Sequence, residues 1–114
     1  MTIPIKVSKD VETKLAAYCD NKVPKAIRDK LALSYKIERN SIILYEIRPH
    51  YQYKNRKMEC HIAKIKFLPI KREWQLYYQD RNSKWHKYWN YAPKKRISTI
   101  IKEIDRDPTC IFWG

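Results

Sequence analysis

AKIKFLPIKREWQLYYQDRNSKWHKYW, residues 63–89, decides the fold. Apolar and polar side chains alternate through Ala63 to Phe67, again through Trp74 to Gln79, and again from Trp85 onward. A period of two over short runs is the signature of strands, placed near 60–68, 73–80 and 83–90. The breaks at Pro69-Ile70-Lys71-Arg72 and Asp80-Arg81-Asn82-Ser83 are short enough for hairpins. Give each turn two central residues, Ile70-Lys71 and Arg81-Asn82. Phe67 then faces Trp74, Ile65 faces Leu76 and Ala63 faces Tyr78, while Tyr78 meets Trp85, Leu76 meets Lys87 and Trp74 meets Trp89. One face collects Ala63, Ile65, Phe67, Trp74, Leu76, Tyr78, Trp85 and Trp89, with the stem of Lys87 running along its rim. That is the expected core face. The other holds Ile62, Lys64, Lys66, Gln75, Tyr77, Gln79, Lys84, His86, Tyr88 and Asn90.

Upstream, Leu31, Leu33, Tyr35 and Ile37 alternate with Ala32, Ser34 and Lys36, and the β-formers Ile42 to Ile47 follow Arg39-Asn40. This is another hairpin, and Asn40 is the residue suited to positive φ. A two-residue turn sets Leu33, Tyr35 and Ile37 beside Ile42 and Leu44; a three-residue turn sets them beside Ile43, Tyr45 and Ile47. The parity stays open. Arg48-Pro49 ends this strand, and a polar connection runs to Glu59. Before the sheet, Ser8 is the expected N-cap of a helix with Val11, Leu15 and Tyr18 (or Cys19) on one side, and Pro24 suits the start of a short helix to Lys30. After it, Ile97, Ile100, Ile101 and Ile104 fall at helical spacing until Asp107-Pro108. The tail Cys110-Ile111-Phe112-Trp113 is apolar enough to dock on the core. The fold class is α+β: N-terminal helices, an antiparallel five-stranded meander, and a C-terminal helix on the same sheet face, in a single domain over residues 1–114.

Composition narrows the chemistry. The 114 residues carry 25 Lys plus Arg against 12 Asp plus Glu, a formal charge of +13. The single glycine is Gly114, so glycine-dependent phosphate loops are excluded. Cys19, Cys60 and Cys110 are widely spaced and read as reduced thiols, and no spacing indicates a metal site or a cofactor. No apolar run reaches membrane-spanning length and the first residues lack a secretory signal, so the expected location is cytoplasmic. Residues 54–96 hold thirteen basic and three acidic side chains, whereas 97–114 hold two and three. Genomic lysine bias would spread charge evenly; here it is concentrated.

The concentrated charge falls on the non-core sheet face. Lys64, Tyr77 and His86 form one cross-strand row and Lys66, Gln75 and Tyr88 the next, with Lys84 nearby. Lys54, Arg56 and Lys57, interleaved with Tyr51 and Tyr53, supply a second basic segment. Lysines suit phosphates and flat rings suit unstacked bases, so the surface reads as a non-catalytic nucleic-acid-binding face, DNA or RNA. The competing readings are an ordinary solvated face, or a protein-interaction or homodimerisation module. An enzyme fits less well: the carboxylates of the basic half, Glu59, Glu73 and Asp80, sit near strand ends, apart from one another.

The run Trp74 to Tyr88, the tail Glu103-Ile104-Asp105-Arg106-Asp107-Pro108-Thr109-Cys110-Ile111-Phe112-Trp113-Gly114, and Arg48-Pro49 together resemble a bacterial family filed as a domain of unknown function, number 3024. The resemblance covers nearly the whole chain from Val23 onward. It implies a bacterial, stand-alone, intracellular protein, and carries over no activity and no catalytic residue.

Overall fold

A computed structural model describes residues 3–23, 31–49, 52–53, 56–88 and 91–113. Helix α1 spans Ile5–Lys22. Strands β1 (Ala32–Glu38), β2 (Ser41–Pro49), β3 (Lys57–Leu68), β4 (Glu73–Gln79) and β5 (Trp85–Lys87) follow, and helix α2 (Ile97–Arg106) comes last. The strands make one sheet in the order β1-β2-β3-β4-β5, every neighbour antiparallel. This is the α+β meander expected from the alternation.

Pro4 sets the start of α1. Its ψ of 144° is extended, and its carbonyl accepts the Ser8 amide at 2.8 Å. Ser8 therefore lies within the helix rather than capping it, because the ring of Pro4 fixes the entry φ first. Val11, Leu15 and Cys19 form the buried stripe. Val23 is already extended, as a residue preceding proline prefers. The expected helix from Pro24 to Lys30 lies outside the described residues.

The first hairpin turns on two residues, Arg39-Asn40, so Ile37 faces Ile42 and Tyr35 faces Leu44. Positive φ falls on Arg39 (55°), not on Asn40. Asn40 is held by β3 instead: its carbonyl accepts the Phe67 amide at 2.7 Å, and its side-chain amide donates to the Phe67 carbonyl at 3.4 Å. Between β2 and β3 the register slips, with Leu44 facing Ala63 but Tyr45 facing His61. Ile62 is the extra residue of this bulge. It turns into the core beside Ala63, which corrects its expected outward placement and sends His61 to the lysine face.

The β3–β4 register is the expected one, Phe67 to Trp74 and Ile65 to Leu76. The β4–β5 register is not. Gln79 faces Trp85, Tyr78 faces His86 and Tyr77 faces Lys87. The turn holds three residues, Arg81 to Ser83. The Asp80 amide donates to the Lys84 carbonyl at 2.8 Å, the Ser83 amide to the Asp80 carbonyl at 3.0 Å, and Ser83 takes φ 64°. This is the three-residue loop ending in a left-handed residue. One added residue reverses the facing of everything after it. Trp85 moves outward, Lys87 joins it, and Tyr88 enters the core; Trp89 and Asn90 lie outside the described residues.

Both helices close the same side of the sheet. Val11, Leu15, Ile97, Ile100 and Ile104 pack with Ile42, Leu44, Ile65, Trp74 and Leu76 in one apolar cluster. The tail docks there as expected. Asp107 ends α2 in the left-handed region (φ 45°), its amide donating to the Glu103 carbonyl. Its carboxylate then accepts the amides of Phe112 and Trp113 at 3.1 and 2.8 Å, while Trp113 Nε1 donates to the Ile104 carbonyl at 2.8 Å.

Candidate functional site

Register alone builds the outward face. Lys36, Ile43, Lys64, Tyr77 and Lys87 make one row across all five strands. Ser41, Lys66 and Gln75 make a row on one side of it; Tyr45 with His61, and Gln79 with Trp85, lie on the other. Ile43 is buried although it lies outside the main core cluster. Along with Lys64 and Trp85 it lines a hollow of about 340 Å³ that runs under the Glu38–Ser41 turn. A buried isoleucine among polar neighbours gives this face an apolar centre.

The rings and ammoniums are in contact. Lys64 Nζ lies 5.6 Å from the Tyr77 ring centre and 5.9 Å from that of Trp85. Trp85 stacks on His61 with centres 5.8 Å apart and planes at 20°. Gln79 Nε2 sits 3.3 Å from His61 Nδ1 and steadies the imidazole. Lys36 is committed elsewhere: its ammonium is 3.1 Å from Glu59 Oε1 and 3.9 Å from Glu38 Oε1, and the Glu59 contact raises its pKa. Lys64, Lys66 and Lys87 have no carboxylate partner among the described residues.

The family model "Domain of unknown function (DUF3024)" matches residues 3–114. The chain belongs to the DUF3024 family. No curated protein and no solved structure matches it. No helix among the described residues is long and apolar enough to cross a membrane.

Of the site residues expected in this DUF3024 chain, Lys64, Lys66 and Tyr77 do share the outward face. Lys84 is exposed in the β4–β5 turn, its amide donating to Asp80 Oδ1 at 3.0 Å. His86 and Tyr88 are corrections, both carried to the helix side by the longer turn. His86 Nε2 lies 2.6 Å from Asp80 Oδ2, and the imidazole stacks on Tyr78 at 5.5 Å. The His86 hydrogen bond, then the Lys84 amide, hold the Asp80 carboxyl below its usual range. Tyr88 is 4% exposed, and its hydroxyl donates to Glu103 Oε2 at 3.0 Å. Burial is the main reason its pKa is raised.

Arg56 and Lys57 stand at the other end of β3. Lys57 shares the outward facing, but it stands six paired positions along the strand from Lys64, roughly 20 Å. Arg56 lies over the Tyr53 ring at 5.3 Å. Lys54 and Tyr51 lie outside the described residues. Sequence reasoning missed Trp85 and His61 at the site. For Trp85 a signal existed: Lys87 was the lone misfit on the apolar face, and a three-residue turn removes it. For His61 there was none, since nothing in Cys60-His61-Ile62-Ala63 announces a bulge.

Proposed function

We propose that this DUF3024 chain binds single-stranded nucleic acid through the outward sheet face, without catalysis. The observation that carries the reading is the contact of Lys64 with both Tyr77 and Trp85 on a face turned away from the described helices. A duplex hides its base faces, whereas a single strand can offer them to rings. Lys64, Tyr77 and Trp85 are half-buried, so water reaches the contact, and an ammonium on a ring near the surface is held by only about 0.5–1 kcal/mol. Stacking a base is worth about 1–3 kcal/mol. A phosphate therefore draws Lys64 off the rings at small cost and leaves them for bases. Lys66 and Lys87, flanking the same rows, extend the phosphate track.

The test is fluorescence anisotropy with a short labelled single strand at modest salt. Lys64→Glu combined with Lys66→Glu abolishes binding without lowering the thermal midpoint. Trp85→Ala weakens binding by about 1–3 kcal/mol, whereas Tyr88→Phe, on the opposite side of the sheet, leaves affinity unaltered. Equal affinity of the parent and the double lysine variant refutes the assignment of the face.

A further inference from the structure

We propose that a second site, on the helix side of the sheet, binds a small phosphate monoester. The first turns of α1, the β3–β4 turn and the start of α2 enclose a groove of about 330 Å³. Lys6, Arg72, Lys95 and Arg96 stand around it, all exposed. Its apolar lining is formed by Val7, Val11, Phe67, Trp74 and Ile97. The groove is anchored rather than incidental: Trp74 and Lys94 exchange backbone hydrogen bonds at 2.7 and 2.9 Å, which fixes the segment entering α2 against β4.

The charge is uncompensated. Asp10 is the one carboxylate lining the groove, and it is already paired with Lys14 at 3.2 Å. Lys6, Arg72, Lys95 and Arg96 have no carboxylate partner among the described residues. Two of these cations, Lys95 and Arg96, also sit at the wrong end of a helix. The N-terminus of α2 is the positive pole of its dipole and favours an anion, yet its first turn holds no acid and Arg96 makes no side-chain cap. Cations crowded around a concavity repel one another unless an anion occupies it.

Size and lining choose the ligand class. A bare phosphate fills a small part of this volume, which lies at the lower end of the range for small-molecule pockets, about 300–1,000 Å³. The guanidinium forks of Arg72 and Arg96 suit the oxygens of a dianionic phosphate. The apolar lining suits an apolar body attached to it. This site is independent of the Lys64 face: it lies across the sheet and shares no residue with it.

Phenyl phosphate is the probe, followed by calorimetric titration and by the thermal midpoint, with sodium sulfate at matched ionic strength as the control. Saturable binding is expected, with a midpoint rise that sulfate does not reproduce. Arg72→Gln with Arg96→Gln should weaken binding at least tenfold, and at low salt without ligand should melt no lower than the parent, because repulsion is relieved. Should that variant fail to fold, Lys6→Gln with Lys95→Gln changes only exposed ammoniums and carries the same comparison. No saturable binding by the parent, or equal affinity in parent and folded variant, overturns the site. Neither result touches oligonucleotide binding by the Lys64 face, which is measured separately.

Discussion

Trp74 lies 4.8 Å from the ring centre of Phe67 and is 3% exposed, facing the helices from the start of β4. Truncating it leaves a cavity that β3 on one side and the bridged Lys94 segment on the other cannot close, so Trp74→Ala should cost about 3–5 kcal/mol in a urea titration. A loss below about 1 kcal/mol would place the indole outside the core. Cys19 is a second residue whose burial has a measurable consequence. Burial, aided by Asp20, pushes its thiol from an ordinary value of 9.0 up to about 11. Between those values the unfolded thiol has lost its proton and the folded one has kept it. Stability therefore falls as pH rises from about 9 to about 11, and Cys19→Ala should flatten that part of the curve. In the native protein at pH 8, Cys110, which is exposed, should react with a thiol reagent well before Cys19. Trp74 was legible in the sequence because its hairpin partner Phe67 was equally apolar. Trp85 was less so, because its placement depends on the length of the turn before it, of which the misfit of Lys87 was the one trace.

That turn belongs to the scale of elements, where the legible and the illegible separate cleanly. The β3–β4 register was read to the residue, although the turn spans Pro69 to Arg72 with positive φ on Arg72; the β4–β5 register was off by one. The cause is the absence of internal glycine. Left-handed positions fall instead on Arg39, Arg72, Ser83, Asp107 and Cys110, of which only Asp107 is of a type that commonly marks such geometry. A serine in the left-handed region gives no notice that the loop has three residues. Asp80 compensates within the hairpin, its Oδ1 accepting the Asn82 and Lys84 amides at 2.8 and 3.0 Å. Ser83→Gly should relieve the backbone and raise stability by about 0.5–1 kcal/mol, read from a denaturant midpoint. The same substitution in a two-residue turn lacking the left-handed residue would destabilise, so the sign of the change reports the turn. The His86 contact is tested in the same hairpin: His86→Gln should bring the depressed Asp80 carboxyl back toward its ordinary value, seen by NMR titration. Stability linked to that carboxyl is present above about pH 4 and is lost as pH falls through its lowered value.

Over the whole molecule, a net charge of +13 acts on folding and on binding with opposite signs. Part of its uncompensated charge lies on the outward face, with Lys64, Lys66 and Lys87, and part around the groove, with Arg72 and Arg96. Both sets strain the folded state by self-repulsion, which salt screens over a Debye length of about 10 Å at 0.1 M. Added sodium chloride should therefore raise the thermal midpoint of the free protein. Binding of a single strand should respond the other way. With three lysines on phosphates, the slope of log K against log salt is roughly −0.7 for each, or about −2 in total. Between 50 and 200 mM salt the affinity should then fall about fifteenfold, while the free protein becomes more stable over the same interval. A denaturing effect of salt would lower both quantities together, and an apolar interface would leave affinity nearly flat. Anisotropy titrations at four salt concentrations, with a melting curve at each, distinguish these outcomes, and a slope near zero would remove the phosphate track from the outward face.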